Sequence, residues 1–178
     1  MLKLIAIAAA IVALAAIGLV AYASTLPDET RIQRTASIAA PPEKIFPLIN
    51  NPRTLNTWNP FALKDPNAKA TYSGPESGVG ALHAWNGNSE VGEGTIEITG
   101  STPSSEVLMK LHMVRPMDVE NRVQFTLQPR GDTTDVTWAM DARAPLIGKV
   151  MCLFFNMDKM VGGEFERGLT SLKALAER

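Results

Sequence analysis

Residues 119–142, VENRVQFTLQPRGDTTDVTWAMDA, carry the clearest structural signal in this chain of 178 residues. Apolar and polar side chains alternate on both sides of the turn sequence PRGD at 129–132. Successive residues of a strand point to opposite faces, so each half predicts a strand with one buried and one wet face. Because the turn is too short to contain a crossover helix, the two strands are predicted to pair antiparallel.

Similar short runs, separated by turn residues, precede this hairpin. The runs lie at 31–39, 68–73, 79–86, 91–99 and 106–114, followed by 119–128 and 133–142. Glycine, proline and asparagine punctuate most of them, as expected for turns between strands. We therefore predict a curved antiparallel sheet of about seven strands.

Helices are predicted on either side of the strand-rich region. A short helix follows the first strand, because Pro-Pro-Glu at 41–43 suits a first helical turn. Residues 57–65 are interpreted as a loop. Apolar residues recur at helical spacing over 146–177, which predicts one long helix covering the buried sheet face. Gly162-Gly163 is interpreted as a bend or a close approach to the sheet. This is an α+β, helix-grip arrangement.

The N-terminal segment is apolar enough to predict a membrane anchor. Residues 4–23 contain no charge, and twenty helical residues cover about 30 Å, the thickness of a bilayer core. A cleaved signal is the alternative, because Ala-Tyr-Ala at 21–23 matches an Ala-x-Ala site, although the apolar run is longer than a usual signal core. We predict a single-pass anchor at 1–25, a linker at 26–30 and a domain at 31–178. The signal-like layout favours an extracytoplasmic (periplasmic) domain.

Charge and cysteine content exclude several kinds of function. The chain has 17 basic and 18 acidic residues, so it lacks the basic excess of a nucleic-acid binder. The single cysteine, Cys152, excludes an internal disulfide. The histidines, His83 and His112, lack companions at metal-ligand spacing. We predict no metal, no cofactor and no nucleic-acid partner.

A set of short motifs resembles the START-like SRPBCC superfamily, often labelled polyketide cyclase/dehydrase. They are APPEKIF at 40–46, WNP at 58–60, YSGP at 72–75, GVGA at 78–81, WNGN at 85–88 and VGEG at 91–94. Residues 156–160 and 165–173 also look like the membrane-anchored bacterial members. The resemblance covers 31–177 and implies a cavity between sheet and long helix that takes up hydrophobic or amphipathic molecules. It implies no single reaction, because relatives include cyclases as well as proteins that only bind or transfer ligands.

Large, adaptable apolar side chains are the candidates for lining such a cavity. Tryptophan combines an apolar body with one N–H donor, and methionine fits variable apolar shapes. Ordinary core packing is the alternative for each of them. The candidates are Trp58, Trp85, Met109, Met113, Phe125, Trp138, Met140 and Phe154, with Trp138 favoured because it shares a strand face with Met140.

The sequence leaves three functions open. The prediction is a membrane-tethered protein that binds a hydrophobic or lipid-like small molecule. One alternative is a cyclase or dehydratase with His83 as base, although no partner carboxylate is identifiable and no catalytic residue is assigned. The other is an interaction module of the cell envelope, using strand edges or the Phe154-Phe155 region, which predicts a filled core and an exposed apolar patch.

Overall fold

The computed structural model describes residues 2–143, 146–154 and 156–178. The helices are α1 (Leu2–Ser24), α2 (Pro42–Ile49), α3 (Pro52–Leu55), α4 (Pro60–Leu63), α5 (Leu146–Phe154) and α6 (Met157–Ala176). The strands are β1 (Glu29–Ile38), β2 (Lys69–Ser73), β3 (Leu82–Asn86), β4 (Glu93–Thr102), β5 (Glu106–Arg115), β6 (Val119–Arg130) and β7 (Thr133–Arg143).

All seven strands form one antiparallel sheet in the order β1-β7-β6-β5-β4-β3-β2. The predicted sheet is thus confirmed, with β1 returning to pair with the last strand. β3 begins at Leu82 rather than at residue 79, because Gly78 and Gly80 adopt φ values of 77° and 89°. These left-handed backbone angles are open to glycine and interrupt an extended run.

The segment between β1 and β2 is more helical than expected. In α3 and α4 an asparagine side chain accepts a hydrogen bond from the backbone N–H two residues on, Asn51 from Arg53 at 2.8 Å and Asn59 from Phe61 at 3.2 Å. The proline that follows each asparagine has no N–H to satisfy in the first turn. The loop prediction for 57–65 is therefore wrong over Pro60–Leu63.

The C-terminal region contains two helices instead of one. α5 ends at Phe154 and α6 begins at Met157, and the Asn156 side chain caps α6 by accepting from the Lys159 N–H at 2.9 Å. α6 continues through Gly162 and Gly163 without interruption. The alternative expectation, a close approach to the sheet, is correct: a Cβ at Gly162 would lie 2.2 Å from Nη2 of Arg34 on β1.

α6 is the helix that the sheet grips, and polar contacts with β1 hold it at both ends. In its first half, α6 is held by Arg34, which donates to Asp158 in the first turn and to Glu166 near the middle of the helix. Near its end, Glu177 accepts from the Ala39 N–H at 2.7 Å and Lys173 donates to the Ser37 carbonyl at 2.8 Å. Between these contacts the apolar face of α6 packs on the sheet through Phe165, Leu169, Leu172 and Ala176.

α1 is long and apolar enough to span a membrane. Its 23 residues correspond to about 35 Å of helix. Residues 25–28 separate it from β1, which begins at Glu29. α5 contacts α1, and Lys149 of α5 binds the connecting segment, donating to the Leu26 carbonyl at 2.7 Å and pairing with Asp28.

Candidate functional site

Aromatic side chains fill the space between α6 and the middle of the sheet. The Trp138 ring of β7 stacks on Phe165 of α6, with centroids 4.2 Å apart and an interplanar angle of 12°. Phe125 lies 5.0 Å from Trp138, and Trp58 meets Trp138 edge-on at 5.7 Å. Aromatic pairs in these arrangements add to the large apolar area that each ring buries. This part of the interior is therefore a closed core.

One polar atom in this core is unsatisfied. The Trp58 indole N–H donates to the Leu48 carbonyl at 2.9 Å, whereas the buried Trp138 indole N–H has no partner among the described residues. Leaving a buried donor unpaired costs about 1–3 kcal/mol. Gly168 allows α6 to approach this ring, because a Cβ there would lie 2.6 Å from it. The Trp138 N–H is thus a buried donor that lacks an acceptor among the described residues.

On β5, β6 and β7, burial of the concave sheet face decreases from this core toward one end of the sheet, whereas His83 of β3 and Gly94 of β4 stay buried in the outer rows. Phe125 and Trp138 pair across β6 and β7 and are both buried. The next row of paired residues is Ile98, Met109, Val123, Met140 and Ile32, in which only Met140 is half-buried. The rows beyond are half-buried at Ile96, Leu111, Asn121 and Ala142, and then at Met113 and Val119.

We call the half-buried apolar surface formed by Ile96, Leu111, Met113, Val119 and Met140 the trough. It opens at the end of the sheet where β1 begins and β7 ends, since Glu29 pairs with Arg143 there. The end of α1 and the start of α5 adjoin these two strand ends. α6 covers the opposite end, where its last turn contacts Ser37 and Ala39. The trough mouth and α1 therefore lie at the same end of the domain.

The eight candidate residues fall into four environments. The closed core contains Trp58, Met109, Phe125 and Trp138, and the trough contains Met113 and Met140. Trp85 lies near the end of β3, next to the connection to β4, and Phe154 is the last residue of α5. The Trp85 indole N–H donates to the Val91 carbonyl at 3.0 Å. Phe154 is 68% exposed and does not line the space beneath α6, while Phe155 lies outside the described residues.

Three trough residues, Ile96, Leu111 and Val119, were not among those candidates. Leu111 and Val119 alternate in step with residues already assigned to the buried face, so the period-two pattern contained the signal. The alternating pattern could not show which part of the inner face α6 covers and which part it leaves open. The extent of that cover depends on where α6 begins.

His83 has the environment of a structural histidine. Its ring stacks between Tyr72 and Trp85, with centroids 4.8 and 5.5 Å away, and the Asn56 amide nitrogen lies 3.0 Å from Nδ1. Burial lowers the pKa of His83 to about 4. No carboxylate among the described residues hydrogen-bonds to it. A ring that is neutral and weakly basic at pH 7 is poorly matched to the general-base role considered from the sequence.

Two cavities lie near the β2 edge. The larger, about 310 Å³, is bordered by Arg53, whose guanidinium lies 4.1 Å from the Tyr72 ring centroid. The smaller, about 220 Å³, lies on the outer sheet face and is bordered by Thr71, Ala84 and Val114. Both are at or below the low end of the volumes usual for small-molecule sites, roughly 300–1,000 Å³.

A seven-stranded antiparallel sheet curved around a C-terminal helix, with an apolar inner face that is partly open, defines the helix-grip domains. Residues 29–177 match the family described as polyketide cyclase / dehydrase and lipid transport, and the chain belongs to that family. The resemblance inferred from the motifs is thereby confirmed, while assignment to a membrane-anchored branch stays a prediction. The family description and the fold suggest hydrophobic ligand binding.

Solved structures share this fold at low sequence identity. Protein CV1439 from Chromobacterium violaceum is 15% identical, with 86% of this chain and 99% of that chain covered and a TM-score of 0.59. Protein MLL2253 from Mesorhizobium loti is 16% identical, with 84% and 98% covered and a TM-score of 0.61. Ara h 8.0201 is 9% identical, with 83% and 97% covered and a TM-score of 0.58. A search of curated proteins finds no match to this sequence.

Proposed function

We propose that this chain is a membrane-tethered protein that binds a hydrophobic or lipid-like molecule in the trough. The observation that carries the proposal is the graded burial of the concave face. A face used only for core packing would be closed along its length, whereas Ile96, Leu111 and Met140 remain half-buried here. Contiguous apolar surface left open in this way is typical of ligand grooves.

The tether is supported by α1 and by the shortness of the segment after it. α1 has no charged residue after Lys3, and only residues 25–28 separate it from β1. A domain held this close to a bilayer meets membrane-derived ligands at a raised effective concentration. We place the domain on the extracytoplasmic side, because the signal-like layout of residues 3–23 favours its export.

The unpaired Trp138 N–H supports a ligand that carries a hydrogen-bond acceptor. Trp138 and Met140 lie on the same face of β7, about 7 Å apart along the strand. Trp138 is therefore the residue of β7 that borders the inner end of the trough. An ester or carbonyl oxygen that reached the Trp138 N–H would remove the penalty of an unsatisfied buried group. We infer that the ligand is an acyl compound rather than a plain hydrocarbon.

The test of the binding site is to fill the trough with a larger side chain. In the full chain in detergent micelles, Met140→Trp should weaken binding of a pyrene-labelled fatty-acid methyl ester about tenfold, because overfilled apolar sites lose roughly 1–3 kcal/mol. Val114→Trp is the control, since Val114 lies on the outer face and is 42% exposed. If Met140→Trp binds the ester as well as the wild type does, or if Val114→Trp loses ester binding instead, the binding site lies elsewhere.

A second variant tests the polar contact. Trp138→Phe keeps an aromatic ring but removes the N–H, so the ester should bind roughly fivefold more weakly, as expected for one neutral hydrogen bond. A pyrene-labelled alkane of matched length should bind equally well to both proteins. If the ester and the alkane lose affinity equally, Trp138 contributes packing alone and the acyl assignment fails.

A further inference from the structure

α5 and the first turn of α6 form an unusually apolar exposed surface. We propose that this surface, which we call the docking face, inserts into the bilayer beside α1 and holds the trough mouth against the lipid. The proposal rests on the proposed membrane tether and adds a second contact with the same bilayer.

The docking face begins with α5, whose sequence LIGKVMCLF contains one charged residue. That residue, Lys149, is buried, with its ammonium group bonded to the Leu26 carbonyl and paired with Asp28. Its charge is thus directed toward the segment that follows α1. The described exposed positions of the helix include Leu146, 46% exposed, and Phe154, 68% exposed. A short helix with no outward charge and exposed large apolar side chains is suited to a membrane interface.

The first turn of α6 continues the same surface. Met157 is 40% exposed and Met160 is 58% exposed, one turn apart on the helix. Asp158 and Lys159 lie between them in sequence and are exposed; the Asp158 carboxylate pairs with Arg34 of β1, and a lysine at this position suits the charged boundary of a membrane interface. The described residues of the 146–160 range therefore include four large exposed apolar side chains, Leu146, Phe154, Met157 and Met160. Apolar groups clustered in this way mark an interaction surface.

The bilayer is the occupant that the connectivity favours. Residues 25–28 reach about 14 Å at full extension, so β1 starts close to the end of the apolar helix α1. Lys149 joins α5 to that same segment, and α5 contacts α1 directly. α5 is therefore held where α1 would leave the hydrocarbon, which is the depth that interfacial helices occupy.

This placement has a consequence for ligand entry. The trough opens at the end of the sheet next to α5, so a docking face in the interface would keep its mouth in contact with lipid. An apolar chain could then move between bilayer and trough without being exposed to water, which is the unfavourable step in lipid desorption.

The experiment places an environment-sensitive fluorophore on the docking face of the full chain. In a Cys152→Ser background, which removes the only cysteine, Met160→Cys is labelled with NBD and the protein is reconstituted into phosphatidylcholine vesicles. Val79→Cys is the matched control, because Val79 is 59% exposed and lies in the loop before β3, at the end opposite the mouth. NBD at residue 160 should be blue-shifted and quenched severalfold more strongly than at residue 79 by acyl-chain spin-labelled lipids.

The outcomes separate this proposal from the tether on which it rests. Alkaline extraction of the same vesicles reports whether α1 anchors the chain. If the protein stays in the vesicles but NBD at residue 160 shows the same water-exposed emission as NBD at residue 79, the docking face alone is overturned. A blue shift without quenching by the labelled lipids also overturns it, because a second copy or another protein then covers the surface. Extraction of the protein overturns the tether itself.

Discussion

Among single residues, His83 shows how the fold changes the chemistry of a side chain. It is 6% exposed, and its pKa is lowered to about 4, compared with about 6.5 in an unfolded chain. Between these values the unfolded state binds a proton that the folded state does not. The stabilisation that depends on a neutral His83 is therefore complete above pH 6.5 and is lost as the pH falls toward 4.

We expect the free energy of unfolding of the extramembrane domain to fall by roughly 2 kcal/mol between pH 7 and pH 4.5 because of this one group. Urea unfolding of the full chain in micelles, followed by tryptophan fluorescence, measures it. His83→Phe should remove this part of the pH dependence. The control is His112→Phe, because His112 pairs with the exposed Asp118 instead of being buried. If the free energy of unfolding falls equally in His83→Phe and in the wild type between pH 7 and pH 4.5, His83 is not the group responsible.

Among the secondary-structure elements, the attachment of α6 to β1 depends on one arginine and one glycine. Arg34 donates from Nε to Glu166 at 2.6 Å and from its terminal nitrogens to Asp158 at 3.0 Å. These bonds lower the pKa of Asp158. The guanidinium reaches both carboxylates by passing over Gly162, where no side chain is present.

The adjacent glycines of α6 should therefore respond in opposite directions to the same substitution. Gly163→Ala should raise the free energy of unfolding by about 0.5–1 kcal/mol, because alanine favours helix and nothing described lies within 4 Å of the added Cβ. Gly162→Ala should lower it by about 1 kcal/mol or more, since the clash with Arg34 outweighs that gain. Urea unfolding of both variants checks the signs. Equal stabilisation by both would show that α6 does not approach Arg34 this closely.

At the level of the whole molecule, the orientation of the domain relative to α1 depends on the contact between Lys149 and residues 25–28. Lys149→Met keeps a long apolar side chain but removes the bonds to Leu26 and Asp28. We expect proteinase K to cleave residues 25–28 of the reconstituted full chain severalfold faster, because about 1 kcal/mol of local stability is lost. Lys44→Met is the control, since Lys44 is exposed on α2. Equal cleavage rates in Lys149→Met and wild type would mean that the segment is held in another way.

Much of this architecture could be predicted without coordinates. The alternation over 119–142 predicts its hairpin, because side-chain period is a local property of the backbone. Apolar spacing over 146–177 predicts helical structure there for the same reason, although as one helix and not as α5 and α6. The end of α5 could not be placed in this way, because apolar residues continue on both sides of Asn156 and only the cap shows where the new helix starts. Asn59-Pro60 was likewise ambiguous, since the same pair can end a helix or begin one.

For the candidate site as well, the sequence predicted some properties and only the fold decided the others. The amino-acid pattern alone predicted which strand side chains face inward, an antiparallel sheet of about seven strands, helical structure at the C-terminal end and the apolar N-terminal helix. The folded arrangement established that Trp138 is closed beneath Phe165 with its N–H unpaired, that Leu111 and Met140 remain partly open, and that Phe154 faces outward. The physical reason is that facing inward follows from neighbours along the chain, whereas being covered depends on elements such as α6 and β7, which are distant in sequence and meet only in the fold.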